Sequence, residues 1–168
     1  MLLKEQTIES LFPEFPEASK VWVYQSNRAF SEVEKGLIIE KATKFVSSWE
    51  SHGSLLKADF AIVYDYFLVF VVDENKHEAS GCSIDKSVHF VKSIQKLIGI
   101  NFFDRTSIVY YKQDKTICLV PLSAVKPLIA SGEISKDTLV FNNLAEYLDD
   151  LKDGWVVTAD KTWIARLF

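Results

Sequence analysis

The sequence predicts an α+β fold: a ferredoxin-like βαββαβ core (split βαβ), an additional hairpin strand, and a C-terminal α/β extension. Three observations carry this expectation. Through residue 121, short β-branched and aromatic stretches alternate with two long amphipathic ones in the order β-α-β-β-α-β-β. Ser31-Glu32-Val33-Glu34 reads as a capping box opening the first amphipathic stretch, and Gly99 follows the second. Finally, 168 residues that are 48% apolar supply enough side chains for one sizeable core. The expected organisation is one domain over 1–168, with a peripheral lead-in at 1–19, the core at 20–121 and the extension at 122–168.

The elements follow in order. Pro13 and Pro16 interrupt the lead-in, so any helix there ends before Pro13. Residues 21–24, Val-Trp-Val-Tyr, form a strand. After the capping box, Ile38, Ala42, Phe45 and Trp49 share one helical face, and His52-Gly53 is a natural stop. Residues 58–64 and 67–72 are apolar strands joined at Asp65-Tyr66, a hairpin without a favoured turn glycine. A polar loop over 73–81 leads into a second helix from Cys82-Ser83. Its inner stripe is Ile84, Val88, Val91, Ile94 and Ile98; Asp85, His89, Lys92 and Lys96 face outward. Residues 107–111 and 116–120 make a second hairpin across 112–115. Beyond it come a short helix at 124–130 containing Pro127, a strand at 138–141, and a helix at 144–151 with Asn143 and Glu146 as caps. Trp155 and Trp163 pin the final segment.

Composition excludes several classes. The closest glycines, Gly36 and Gly53, are too far apart for a P-loop or a dinucleotide fingerprint. With 19 basic and 23 acidic residues the formal charge is −4, without the basic stripe of a nucleic-acid binder. Cys82 and Cys118 do not form C-x-x-C, and His52, His77 and His89 lack zinc spacing, so no metal or cofactor is expected. The absence of a signal-like start or a long apolar run predicts no membrane span. It also predicts a cytoplasmic protein with reduced thiols.

The expected topology sets the first and third strands side by side and parallel, so that their carboxyl ends share one sheet edge. Gln25, Ser26, Asn27 and Arg28 then meet Asp73, Glu74, Ser80, Cys82, Ser83 and Asp85 near two helix amino ends, while His52 and Asp104-Arg105 lie on the opposite edge. A helix amino end favours anions and thiolates. The expected function is a non-catalytic binding module for a small anionic ligand or a protein partner at that edge. One alternative is a thiol-dependent enzyme with Cys82 as nucleophile and His77 or His89 as base; another is a homo-oligomerisation module. Each residue also has a plain structural reading. Ser80 or Ser83 caps the helix, Arg28 pairs with Asp73 or Glu74, and Asp85 with His89 forms a surface pair.

Five segments together resemble a family of short, uncharacterised bacterial proteins, mainly from Bacteroidetes. They are residues 21–28 (Val-Trp-Val-Tyr-Gln-Ser-Asn-Arg), Trp49-x-x-His52-Gly53, Val72-Asp73-Glu74, residues 80–85 (Ser-Gly-Cys-Ser-Ile-Asp) and Phe103-Asp104-Arg105. Some members carry the label "ABC transporter ATPase". The resemblance spans residues 20–110 and implies no established activity. The glycine spacing argues against the label, which is a mislabelling on this reading: this sequence has neither a P-loop nor a Leu-Ser-Gly-Gly signature.

Overall fold

The protein is described by a computed structural model covering residues 8–168; the start of the lead-in, residues 1–7, lies outside the described residues. Strand β1 (Lys20–Gln25) leads to helix α1 (Glu32–Ser48). A minimal hairpin of β2 (Glu50–Ser51) and β3 (Ser54–Leu55) follows, then β4 (Lys57–Val63) and β5 (Phe67–Asp73). Helix α2 (Gly81–Ile98) precedes the hairpin of β6 (Ser107–Tyr111) and β7 (Ile117–Pro121). The remainder is α3 (Leu122–Ala130), β8 (Leu139–Phe141), α4 (Leu148–Gly154) and β9 (Val156–Thr158). The α+β class expected from the sequence is what is found.

Two antiparallel sheets organise the chain, one in the order β1-β5-β4 and the other in the order β7-β6-β8-β9. The central strand β5 is buried along its whole length. Phe67, Val69 and Val71 face the second sheet, where they meet Val109, Phe141 and Trp155. Leu68, Phe70 and Val72 face the two long helices, where they meet Ile38, Trp49, Val91 and Ile94. An uninterrupted apolar run is what a strand needs when both of its faces are covered. A third cluster, with Ile108, Tyr110, Val125 and Ile134, lies between the second sheet and α3.

Several expectations are corrected. β1 and β5 are neighbours but antiparallel, with Lys20 opposite Val72 and Gln25 opposite Phe67. The reason is topological. A crossover through α1 returns β4 in the direction of β1, and the β4–β5 hairpin then reverses the chain. The fourth strand of the split βαβ arrangement is also absent from the first sheet, because β6 pairs with β7 and β8 instead. β6 buries both faces, Val109 toward the first sheet and Ile108 and Tyr110 toward α3. A place beside β1 offers no α3. Residues 146–148 cover the flank of β1 instead: the Val21 N–H donates to the Glu146 carbonyl at 2.9 Å, and the Leu148 N–H to the Ser19 carbonyl at 2.9 Å.

That docking delays the last helix. The expected start at residue 144 moves to Leu148, because Asn143 is spent elsewhere and the following backbone pairs with β1. The lead-in is less peripheral than expected, since Leu11 and Phe12 are buried in the core between the sheets. On α2 the buried stripe runs through Ser83, Ser87, Val91 and Ile94, so Ile84, Val88 and Ile98 sit at its margins. The two serines turn their hydroxyls back to the helix, donating to the Ser80 and Ile84 carbonyls, which satisfies them in a dry interface.

Candidate binding groove

The antiparallel pairing of β1 with β5 places the two halves of the expected site at opposite rims of the sheet. α1 and α2 run antiparallel across it. The end of α1 meets the start of α2, where the Trp49 indole N–H donates to the Ser83 carbonyl at 2.8 Å. The start of α1 meets the end of α2. Gln25, Asn27 and Arg28 therefore lie beside the carboxyl end of α2, a helix length away from Ser80, Cys82, Ser83 and Asp85. The expected convergence is overturned. His52 also changes place: its turn follows α1 and falls on the rim of Cys82, not opposite it.

At the first rim Gln25, Asn27 and Arg28 each hold the fold. The Arg28 guanidinium donates to both Glu34 carboxylate oxygens, at 2.9 and 2.7 Å, and to the Ile98 carbonyl at 3.0 Å. Glu34 meanwhile completes the capping box by accepting the Ser31 N–H at 2.9 Å. Arg28 beside it, then the Ser31 amide, hold the Glu34 carboxyl down at about 2. The Asn27 side-chain Oδ1 accepts the Asn101 N–H at 2.9 Å. Arg28 is thus a clamp between the start of α1 and the end of α2, and its partner is neither Asp73 nor Glu74. Gln25 points the other way, into an amide chain with the exposed Asn143.

The second rim is also occupied with structure. Asp73 is almost fully buried. Burial pushes its carboxyl up, but the Asn75 amide and the Lys57 ammonium outweigh this and leave it below its ordinary value. Lys57 also reaches the Glu14 carbonyl at 3.2 Å and sits over the Phe15 ring, tying the lead-in to the sheet. The Glu74 carboxylate accepts the Ala79 N–H at 3.1 Å and closes the loop. Ser80 is the N-cap of α2, its hydroxyl accepting the Ser83 N–H at 3.2 Å. Cys82, Asp85 and His77 are exposed. His89 Nδ1 contacts the Asp85 carbonyl at 2.8 Å. Among the described residues neither imidazole is hydrogen-bonded to the Cys82 thiol, and no cluster of three or more metal-ligating side chains occurs.

Two concavities lie outside both rims. The first, of about 380 Å³, carries Glu146, Asp150 and Asp153. Asp150 is spent on capping α4, accepting the Tyr147 N–H at 3.2 Å. The second, of about 360 Å³, lies between the β6–β7 turn and the approach to β8. Its walls are the Tyr111 ring and the exposed Leu139. Lys112 and Lys115 line it, as do Ser135, Asp137 and Thr138.

The turn that presents these lysines is built locally. The Lys112 N–H donates to the Thr116 carbonyl at 2.8 Å, and the Lys115 N–H to the Lys112 carbonyl at 2.9 Å. The Asp114 carboxylate accepts the Thr116 hydroxyl at 2.6 Å and its N–H at 2.9 Å, which holds the carboxyl below its ordinary value. Lys115 takes φ +67, the left-handed conformation that such turns ordinarily assign to glycine. A lysine there carries backbone strain and presents a charge at the groove. Tyr111 is fixed behind it, stacked on Phe141 with ring centroids 5.5 Å apart. Burial, then the Tyr64 hydroxyl, pushes its phenol well above the ordinary range, so it stays a neutral wall.

Sequence reading located this turn but not the groove. The signal available was a polar hairpin turn carrying two lysines and no glycine at its left-handed position. No helix among the described residues is long and apolar enough to cross a membrane. No family model, no curated protein and no solved structure matches this chain.

Proposed function

We propose that the protein is a non-catalytic binding module, and that the groove beside the β6–β7 turn takes a small anion with an apolar body, such as a carboxylate on a short aliphatic or aromatic frame. One observation carries the reading: Lys115 occupies a strained turn position and lines an apolar-walled groove with a second lysine, Lys112. Strain held at a surface turn is a reason to look for a functional role. Lys112 is available to a ligand, because its nearest carboxylate, Glu133, stands 3.9 Å away in an exposed pair. The groove volume is at the small end of ligand pockets, which fits a compact ligand. The two cysteines are free thiols, and with them we place the protein in the cytoplasm.

The test is thermal shift and calorimetric titration with benzoate, phenylacetate and hexanoate. A ligand at a hundred times its Kd raises stability by about 2.7 kcal/mol. Wild type is expected to respond, and Lys112→Ala/Lys115→Gly to lose the response while remaining folded. Equal responses in the two proteins, or none in wild type, sink the reading.

A further inference from the structure

The first sheet ends at β4, and the outer edge of β4 pairs with no strand among the described residues. This edge is seven residues long, contains no proline or glycine, and is mostly apolar: Lys57-Ala58-Asp59-Phe60-Ala61-Ile62-Val63. Such an edge is a template for another strand. One side chain interrupts it. The Asp59 carboxylate accepts the N–H of Phe60 at 2.8 Å. That N–H therefore points away from β5. Alternation along an antiparallel strand turns the N–H groups of Ala58 and Ile62 outward with it.

We propose that Asp59 guards the open edge of β4 against strand pairing with a second copy of this chain. The fullest overlap of two such edges is antiparallel and centred on Phe60, where the two Phe60 residues exchange N–H and carbonyl. Asp59 opposes this register twice. Its carboxylate already holds the central donor on each copy. It also stands opposite Ala61 of the second copy, which makes the two Asp59 side chains diagonal neighbours at about 7–8 Å, a repulsive pair of like charges. No other residue of β4 bars the register, since Lys57, at the strand's start, is held inward by Asp73 at 3.2 Å.

The experiment compares wild type, Asp59→Thr and Asp59→Thr/Ala58→Pro by light scattering over a concentration series, with circular dichroism to verify folding. Threonine keeps strand propensity and removes the carboxylate; proline at 58 removes an outward N–H without touching the β5 ladder. Asp59→Thr is expected to tighten self-association about tenfold or more, with the Phe60 and Ile62 amides becoming protected from hydrogen exchange as it associates. The proline is expected to reverse both. Unchanged association in a folded Asp59→Thr protein overturns the proposal. So does association without protection at Phe60 and Ile62, or a wild type already paired through this edge.

Discussion

The Asn143 side-chain amide donates to Gln25 Oε1 at 2.8 Å, joining residues 118 positions apart. Its own oxygen accepts the indole N–H of the fully buried Trp155 at 2.9 Å, while Gln25 Nε2 reaches the Ser107 carbonyl at 3.4 Å. This chain of amides crosses from the first sheet to the second beside the core that they share. Gln25 and Trp155 are buried while Asn143 is exposed, so Asn143 links two buried groups at the edge of the core.

Asn143→Ala is expected to destabilise the protein by about 1–2 kcal/mol, since the Trp155 donor and the Gln25 acceptor lose their shared partner while water reaches the exposed position 143. Urea unfolding measures this. A loss under about 0.5 kcal/mol would show that the network contributes nothing.

Arg28→Met is expected to lower stability by about 0.5–1.5 kcal/mol at neutral pH, the partly exposed clamp being screened by solvent. The effect has a pH signature. Glu34 titrates at about 2 in the folded protein, below its unfolded value near 4.5. Its contribution is therefore present above pH 4.5 and is lost as pH falls toward 2. The difference between wild type and Arg28→Met should shrink across that window in urea midpoints. A constant difference would separate Arg28 from the titration of Glu34.

Lys115→Gly is expected to raise stability by up to about 1 kcal/mol, because glycine accepts φ +67 without strain. The same change removes a cation from the groove. A higher Tm joined to a weaker carboxylate response separates the two roles of this residue. A lower Tm would contradict the strain.

Cys82→Ser is expected to leave the Tm and the carboxylate response unchanged, within about 0.5 kcal/mol. The thiol is exposed and its serine isostere suits the first turn of a helix. A lost response would return Cys82 to the binding site.

The sequence disclosed what depends on neighbours along the chain. The Ser31–Glu34 box and the Gly99 stop involve contacts within a few residues, and both are present. Strand direction lay in the order of the elements, a crossover through α1 followed by the β4–β5 hairpin, and the expected parallel pair overlooked it. The site inherited that error: once β5 is reversed, Asn27 and Cys82 cannot meet. Arg28 was recognised as a choice between ligand and salt bridge. Its partner, six positions on, was hidden because Glu34 already had a complete role in the capping box. The groove escaped notice because it joins the turn at 112–115 to residues beyond 134, a pairing with no sequence period.

The cover that residues 146–148 lay along β1 also bears on how the chain is made. During synthesis the flank of Val21 leaves the ribosome long before its lid, and it stays open until residue 148 has been translated. The flank of β1 can therefore close only after residue 148 has joined the chain, which ties completion of the first sheet to a segment more than a hundred positions downstream.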